Sequence, residues 1–216
     1  MPASPLTERP SERLRVARFP PERRGDAQLV ADAADGDRAA MGVIWDRYAR
    51  LVRGVLVGVL GPDSAIEDLM QDVFLALHKG ARSMKDKGAL RAYLIQTAVR
   101  SAAFELRKRK VRRWVGLSPT GDLPEVPAPP LDIESRETLR ALYRVLERLS
   151  ERRRLAFVLR HVQGLEMLEV AAALAISEST TRRELTSARQ QLAALVRREP
   201  ALALYVDRFV AERGAP

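Results

Sequence analysis

The stretch GLEMLEVAAALAISESTTRREL, residues 164–185, has the pattern of two short helices joined by a tight turn. Ser177 lies in that turn and is a residue type that caps helix N-termini by accepting a backbone N–H. The residues expected on the buried stripe of the second helix are Thr181, Leu185, Ala188 and Leu192. At about 100° per residue, the opposite pole belongs to Arg183 and Gln190. Guanidinium and amide groups contact bases and phosphates, so the stretch predicts a DNA-binding helix-turn-helix.

Glu184 stands among the basic residues of that second helix, where an acid that faced DNA would meet phosphate. It lies about 70° from the centre of the buried stripe, so it flanks the core. We expect it to pair with a basic residue of another helix, and reading a cytosine amino group is the alternative. Packed helix pairs with a tight turn also occur in folds that bind no DNA, so the rest of the chain must decide.

Composition narrows the classes of partner and site. The 216 residues carry a formal net charge of +9, which favours a polyanion as partner. There is no cysteine, which excludes disulfides, thiolate metal sites and thiol catalysis. The two histidines lack zinc-like spacing, so we expect neither a metal nor a cofactor. No stretch approaches the roughly 20 apolar residues of a membrane span, and no secretion signal is seen, which indicates a cytoplasmic protein.

Helical periodicity runs through the chain, and no alternating strand pattern competes with it. The predicted helices cover a long segment from Asp37 to the Gly61-Pro62 break, and residues 64–79, 89–114, 134–149, 151–162 and 201–213. The stretch VGLSPTGDLPEVPAPPLD interrupts them with prolines and only negative charges, as a linker does. We therefore predict an all-α fold of two helical domains joined by a Pro-rich acidic linker, the second ending in the helix-turn-helix.

Longer stretches carry a family resemblance. LERLSERRRLAFVLRHVQGLEMLEVAAALAISESTTRRELTSARQQL resembles the promoter-reading domain of bacterial sigma factors of the extracytoplasmic-function (ECF) group. LVADAADGDRAAMGVIWDRYARLVRGVL and IEDLMQDVFLALHK resemble the first helices of that group's other domain, and GALRAYLIQTAVRSAAFELRKRK is similar to its DNA-melting helix. The resemblance implies a non-enzymatic initiation factor that binds core RNA polymerase, at the β′ coiled coil and the β subunit, and promoter DNA. An anti-sigma factor is a typical partner, and no small-molecule substrate is implied.

The resemblance also orders the domains. It implies a polymerase-binding and minus-ten-melting domain (26–114), followed by the linker (115–133) and a minus-thirty-five-reading domain (134–197). The prolines and arginines of the N-terminus predict a disordered basic leader (1–25). The predicted C-terminal helical extension (198–216) has no counterpart in the minimal family pattern. A sigma-like regulator that binds DNA without core polymerase is the alternative.

The polymerase surface implied by the resemblance lies on the helix at 64–79. Its residues are Asp68, Gln71, Asp72 and Leu75, which point away from that helix's buried stripe. The acids would pair with basic side chains of the polymerase coiled coil. A regulator that acts without polymerase has no need of this face, so the face distinguishes the two hypotheses.

The minus-ten surface implied by the resemblance starts in the loop before the third long helix and runs along it. Its residues are Arg82, Lys85, Lys87, Leu90, Arg91, Tyr93, Arg100, Arg107 and Lys108, and Arg109 and Lys110 extend the run. Tyr93 and Leu90 stand where the family receives flipped bases, and a place in the core is the alternative for both. The cations would hold the displaced backbone.

The minus-thirty-five surface implied by the resemblance is the second helix of the opening stretch. Its residues are Ser179, Thr180, Arg182, Arg183, Thr186, Ser187 and Gln190. Thr186 and Ser187 replace the histidine and arginine common in the family, so we expect weaker phosphate anchoring. Ala175 replaces a glycine in the turn, Thr181 a core valine, and Glu105 an aspartate of the melting helix.

Overall fold

The computed structural model describes residues 24–115 and 133–205, and that part of the chain confirms the all-α prediction. Its α-helices are α1 (Asp26–Ala34), α2 (Arg38–Leu60), α3 (Ala65–Gly80), α4 (Leu90–Trp114), α5 (Ile133–Glu147), α6 (Glu151–Phe157), α7 (Met167–Leu174) and α8 (Glu178–Val196). We call α1–α4 the N-terminal half and α5–α8 the C-terminal half. The predicted leader and linker lie almost wholly outside the described residues, and the division into domains stays a prediction.

The core of the N-terminal half forms where α2, α3 and α4 face one another. The side chain of Asp37 accepts the Ala39 N–H and caps α2. The helix ends at Gly61, whose φ of 83° suits a residue without a Cβ. The largest fully buried side chains here are Leu29, Ile44, Leu56, Leu60, Ile66, Leu77, Leu90 and Leu94. Helices α3 and α4 match their predicted ranges to within one residue at each end.

Helix α1 packs across α2 and was not predicted as a separate element. Asp26, in its first turn, accepts hydrogen bonds from the Tyr48 hydroxyl and, at 2.6 Å, from the Arg47 guanidinium. Burial, together with the bond to this carboxylate, raises the pKa of Tyr48 to about 12. Contacts between these two helices, which the local pattern of a nine-residue segment does not reveal, fix α1 in place.

Helices α7 and α8 form the predicted helix-turn-helix. Ala175 lies in the turn with φ 53°, in the left-handed region. The Ser177 hydroxyl accepts the Thr180 N–H at 3.2 Å, which confirms the predicted N-cap. The predicted stripe of Thr181, Leu185, Ala188 and Leu192 is buried. The Thr181 hydroxyl is satisfied inside the core, because it donates to the Ser177 carbonyl at 3.0 Å.

Two helix ranges differ from the prediction. The helix expected over 151–162 stops at Phe157, and Val158–Val162 forms a π-helical turn. The wider turn lets the Gln163 N–H donate to the Val158 carbonyl at 2.9 Å. The terminal helix expected over 201–213 begins instead as a 3-10 helix, Pro200–Tyr205, and its remainder lies outside the described residues.

The two halves pack directly on each other. Residues of the C-terminal half that belong to the same buried cluster as the N-terminal core include Leu155, Val158, Leu159 and Leu165. Glycines of α2 make room for them: a Cβ on Gly58 would lie 2.8 Å from Cγ1 of Val158. The Gln163 amide donates to the Gly54 carbonyl at 2.9 Å. The Tyr143 hydroxyl donates to another α2 carbonyl at 2.8 Å. This arrangement is referred to below as the closed form.

Candidate protein and nucleic-acid interfaces

The outer face of α3 carries the residues predicted to contact polymerase. Asp68, Gln71, Asp72 and Leu75 are all exposed there, and Leu75 keeps 47% of its surface. The opposite face, with Ile66, Met70, Val73 and Leu77, is buried. Within the described residues neither Asp68 nor Asp72 has a hydrogen bond or an ion pair. Two free carboxylates beside an exposed leucine are suited to a partner surface with basic and apolar side chains.

An apolar groove of about 370 Å³ adjoins this face between α2 and α3. Its walls include Met41, Trp45, Phe74 and Leu75, and the rings of Trp45 and Phe74 lie 4.5 Å apart. Trp45 recurs at the spacing of the buried stripe of α2, yet it is 37% exposed. Part of the Trp45 ring packs on Phe74 of α3 and the rest faces the groove, which the spacing within one helix does not reveal.

Two residues predicted to receive flipped bases are held within the fold. Leu90 is fully buried at the start of α4, so in the closed form it has no surface for a base. Tyr93 is half-buried, and its hydroxyl donates to the Ala76 carbonyl at 3.1 Å. The sequence left a place in the core open as the alternative for both residues. In the closed form Leu90 is a core residue, and Tyr93 is partly one.

Two of the predicted minus-ten cations are paired with acids of the C-terminal half. Arg91 forms an ion pair with Glu169 of α7, and Arg107 pairs with Glu151 of α6 at 2.6 Å. The backbone N–H of Glu166 and then the Arg91 guanidinium lower the pKa of the Glu169 carboxyl. In the closed form, acids of the C-terminal half therefore neutralise two cations that are predicted to contact DNA phosphates.

The other predicted cations stay near the surface. Arg82 is exposed and donates to the Ala34 carbonyl at 2.8 Å, while Lys85 is exposed and Lys87 half-buried in the loop that precedes α4. Arg100 is exposed and donates to the Thr97 hydroxyl at 3.1 Å. Lys108 is exposed and lies 3.8 Å from the Glu105 carboxylate. These five cations keep surface that phosphates can reach.

Arg109, which the sequence grouped with the DNA-binding cations, belongs to an internal network. Its guanidinium lies 2.9 Å from the Asp63 carboxylate and 3.3 Å from the buried Glu105 carboxylate. It also donates to the Leu60 carbonyl at 2.9 Å. In this structure Arg109 ties α4 to the loop between α2 and α3, and its predicted contact with DNA stays a prediction.

Helix α8 presents the predicted minus-thirty-five residues on one side. Ser179, Arg182, Arg183, Thr186 and Gln190 are exposed, and Thr180 and Ser187 are half-buried. Arg182 donates to Glu178, one turn earlier, at 3.2 Å, which leaves Arg183 as the freer guanidinium. Their meeting on one exposed face agrees with the periodicity, while their contact with DNA stays a prediction.

Glu184 faces α6. Its carboxylate lies 3.3 Å from the Arg153 guanidinium, and Arg153 also donates to Gln191 at 3.2 Å. The predicted pairing with a basic residue of another helix is confirmed. The carboxylate is largely covered, with 16% of its side chain exposed.

The second half of α4 exposes apolar side chains that the sequence interpretation did not single out. They are Phe104, Val111 and Trp114, and the exposed Val115 follows directly after the helix. A helical projection from Arg100 would have placed Phe104 on the exposed face. In residues 24–115 and 133–205 no cluster of potential metal ligands is found, and no helix there is long and apolar enough to cross a membrane.

Two family models match the chain in succession. The model of sigma-70 region 2 matches residues 44–112, and the model of sigma-70 region 4 matches residues 139–192. The first range contains the acidic face of α3 together with α4, and the second contains the helix-turn-helix.

Curated relatives extend the similarity over most of the chain. The ECF RNA polymerase sigma factor SigM of Mycobacterium tuberculosis is 30% identical over 174 residues, which cover 80% of this chain and 85% of the relative. The ECF RNA polymerase sigma-E factor of Escherichia coli K12 is 26% identical over 180 residues, which cover 79% of this chain and 94% of the relative.

Two solved structures share the fold. CnrH in complex with the cytosolic domain of CnrY has a TM-score of 0.59 and 23% identity, covering 79% of this chain and 96% of that chain. The sigma factor RpoE in complex with the anti-sigma factor NepR, from Bartonella quintana, has a TM-score of 0.54 and 20% identity, covering 71% and 94%.

Proposed function

The chain belongs to the ECF group of RNA polymerase sigma factors, and from this membership we propose how its two halves divide the work of initiation. The chain is a transcription initiation factor that acts with core RNA polymerase at promoter DNA. We assign polymerase binding to the outer face of α3 and minus-ten melting to α4. We assign the reading of the minus-thirty-five element to α8.

The observation that carries this assignment is the pair of surfaces of opposite character on the two halves. On α3, Asp68 and Asp72 offer free carboxylates beside Leu75. On α8, Arg183 and Gln190 lead an exposed face rich in donors and hydroxyls. A protein coiled coil with basic side chains fits the first surface, and a DNA groove fits the second.

We further propose that the closed form is the resting state of the free factor. The ion pairs of Arg91 and Arg107 with acids of the C-terminal half have to break before these cations can contact phosphate. Polymerase binding, which engages the two halves at separate places, would supply the free energy for their separation. Because CnrH and RpoE were solved with CnrY and NepR, we propose that a protein of the anti-sigma class also regulates this chain.

The remaining assignments follow from the family. We propose that the chain acts in the cytoplasm, where polymerase and promoter DNA are found. We also propose that it performs no covalent chemistry and uses no cofactor, since RNA synthesis belongs to the polymerase.

The experiment is run-off transcription by purified core polymerase on a library of genomic fragments from the source organism, with and without the chain. We expect fragment-specific transcripts that depend on it. The charge reversals Asp68→Lys and Asp72→Lys should weaken association with core polymerase by at least about tenfold, because they place like charges against a basic partner. Glu137→Lys, an exposed acid of α5, is the matched control and should change little.

The contrary result is binding to DNA fragments without transcription and without association with core polymerase. The chain would then be a DNA-binding regulator that retains the fold of the family and lacks its polymerase contact.

A further inference from the structure

The middle of α4 presents an exposed aromatic ring between two cations. Phe104 is 62% exposed. Arg100 lies about one turn before it and Lys108 about one turn after it, each rotated by about 40° around the helix and each exposed. Val111 lies about 20° from Phe104, two turns further on. We call Arg100, Phe104 and Lys108 the α4 stripe; Val111 lies beyond it and takes no part in the proposed contact.

Packing within the described residues does not explain why a phenylalanine stands at position 104. Its neighbours Ala103 and Glu105 are both buried, so α4 turns its core side away from the ring. A phenylalanine left in water forgoes the favourable transfer of its ring to an apolar environment. A large apolar side chain at the surface beside others of its kind marks a place where something else binds.

The two residues predicted to receive a flipped base present little surface for it in the closed form. Leu90 is fully buried, and Tyr93 is half-buried with its hydroxyl bonded to Ala76. Strand separation nevertheless requires a surface on which an unstacked base can rest, and aromatic rings provide one for any base.

We propose that Phe104 is the ring on which an unpaired base of the melted minus-ten DNA stacks, while Arg100 and Lys108 hold the phosphates on either side. The proposal rests on the initiation function and names a residue that performs it. The two cations are about 12 Å apart along the helix axis, which leaves room for a base over the ring between them.

Charge distinguishes a nucleic acid from an apolar protein helix as the occupant. Arg107, Lys110 and Arg112 are also exposed on this segment of α4. Glu105 is the only acid in the sequence between residues 100 and 112, and it is buried. A ring flanked by cations, on a helix segment whose one acid is buried, fits a polyanion with flat bases.

Phe104 is exposed in the closed form, so the free full-length chain can be tested directly. The test measures its affinity for two fluorescent DNA probes of randomised sequence, a short single strand and a duplex of the same length. Phe104→Ala should weaken binding of the single strand about tenfold and leave duplex binding within about twofold, because base stacking is lost and phosphate contacts remain. Phe104→Tyr keeps the aromatic face and should bind as the wild type does.

Val111→Ala is the matched control, because it truncates an exposed apolar side chain of the same helix that lies beyond the α4 stripe. It should leave both affinities unchanged. An unaltered ratio of single-strand to duplex affinity in Phe104→Ala would overturn the proposal. An equal loss in Val111→Ala would overturn it as well, since it would indicate a general apolar face of the kind that protein partners use. Far-ultraviolet circular dichroism checks that each variant is folded.

Association with core polymerase separates this proposal from the function on which it rests. Phe104→Ala should bind core polymerase as the wild type does, fail to open duplex promoters, and regain transcription on a template with a preformed bubble. If the wild type does not associate with core polymerase, yet its single-strand binding depends on Phe104, the initiation function fails and the stacking surface stands. If the wild type transcribes and Phe104→Ala melts promoters normally, only the stacking surface fails.

Discussion

At the scale of the residue, Ala175 carries local backbone strain in the turn between α7 and α8. Its φ of 53° lies in the left-handed region, where a Cβ costs roughly 1–2 kcal/mol. Glycine removes this cost but gains conformational entropy in the unfolded chain. We predict that Ala175→Gly raises the free energy of unfolding by about 0.5–1 kcal/mol, measured by urea denaturation.

The control for this prediction is the same substitution within a helix. Ala194 is exposed in α8, so Ala194→Gly should lower the free energy of unfolding by about 1 kcal/mol. Effects of the same sign and size at both positions would mean that the turn tolerates alanine without strain.

Glu184 shows how a single residue is assigned to the fold or to DNA. It pairs with Arg153 under partial burial, so Glu184→Gln should lower the free energy of unfolding by about 0.5–1 kcal/mol, measured by urea denaturation. Its effect on binding of promoter fragments should stay within about twofold. Arg183→Ala should do the reverse: about tenfold weaker DNA binding with unchanged stability, because this guanidinium is exposed. Relaxed base preference in Glu184→Gln would instead assign the carboxylate to DNA.

At the scale of the element, α2 carries glycines in its interior, where each costs about 1 kcal/mol relative to alanine. The closed form explains why position 58 is a glycine, because a Cβ there would lie 2.8 Å from Cγ1 of Val158. Val158 is β-branched and its χ1 angle is stiff, so it cannot easily turn away. We predict that Gly58→Ala lowers the free energy of unfolding by about 1–2 kcal/mol and increases the radius of gyration in small-angle X-ray scattering.

Gly42 is the matched control on the same helix, since an added Cβ meets nothing within 4 Å. Gly42→Ala should raise stability by up to about 1 kcal/mol and leave the scattering unchanged. Stabilisation by both substitutions would show that close packing at Gly58 does not hold the halves together.

At the scale of the whole molecule, the closed form pairs cations of α4 with acids of the C-terminal half. Glu151→Gln combined with Glu169→Gln removes both partners and should strengthen binding of non-specific duplex DNA a few-fold at low salt. Fluorescence anisotropy measures this affinity. Glu137→Gln with Asp46→Asn adds the same charge at exposed acids away from these pairs, and an equal gain there would mean that net charge alone acts.

The pair of Arg91 and Glu169 also gives the closed form a dependence on pH. The Glu166 backbone N–H, at the cap of α7, and then the Arg91 guanidinium lower the pKa of the Glu169 carboxyl. Only the Arg91 part belongs to the closed form, and it is complete above the ordinary glutamate pKa of 4.5. It is lost as the pH falls through the lowered value. Acid should therefore favour separation of the two halves, and the radius of gyration should rise as the pH falls below 4.5. Small-angle X-ray scattering measures this radius, and Glu169→Gln should remove this part of the pH dependence.

Much of the fold followed from the sequence because helical periodicity is a local property. Rotation by about 100° per residue places Asp68, Asp72 and Leu75 on one face of α3 without knowledge of any neighbour. The same rule placed Glu184 on the flank of α8. The N-cap at Ser177 likewise depends on residues one turn away.

The sequence by itself therefore determined most of the helices, the helix-turn-helix, the family and the composition of each helix face. Only the tertiary structure decided that Leu90 is buried, that Arg109 joins Asp63 and that the two halves share a core. It also decided that Arg91 meets Glu169, 78 residues along the chain. Such contacts depend on how separate helices dock, and docking is set by the complementary shapes and charges of distant segments, which no local period encodes.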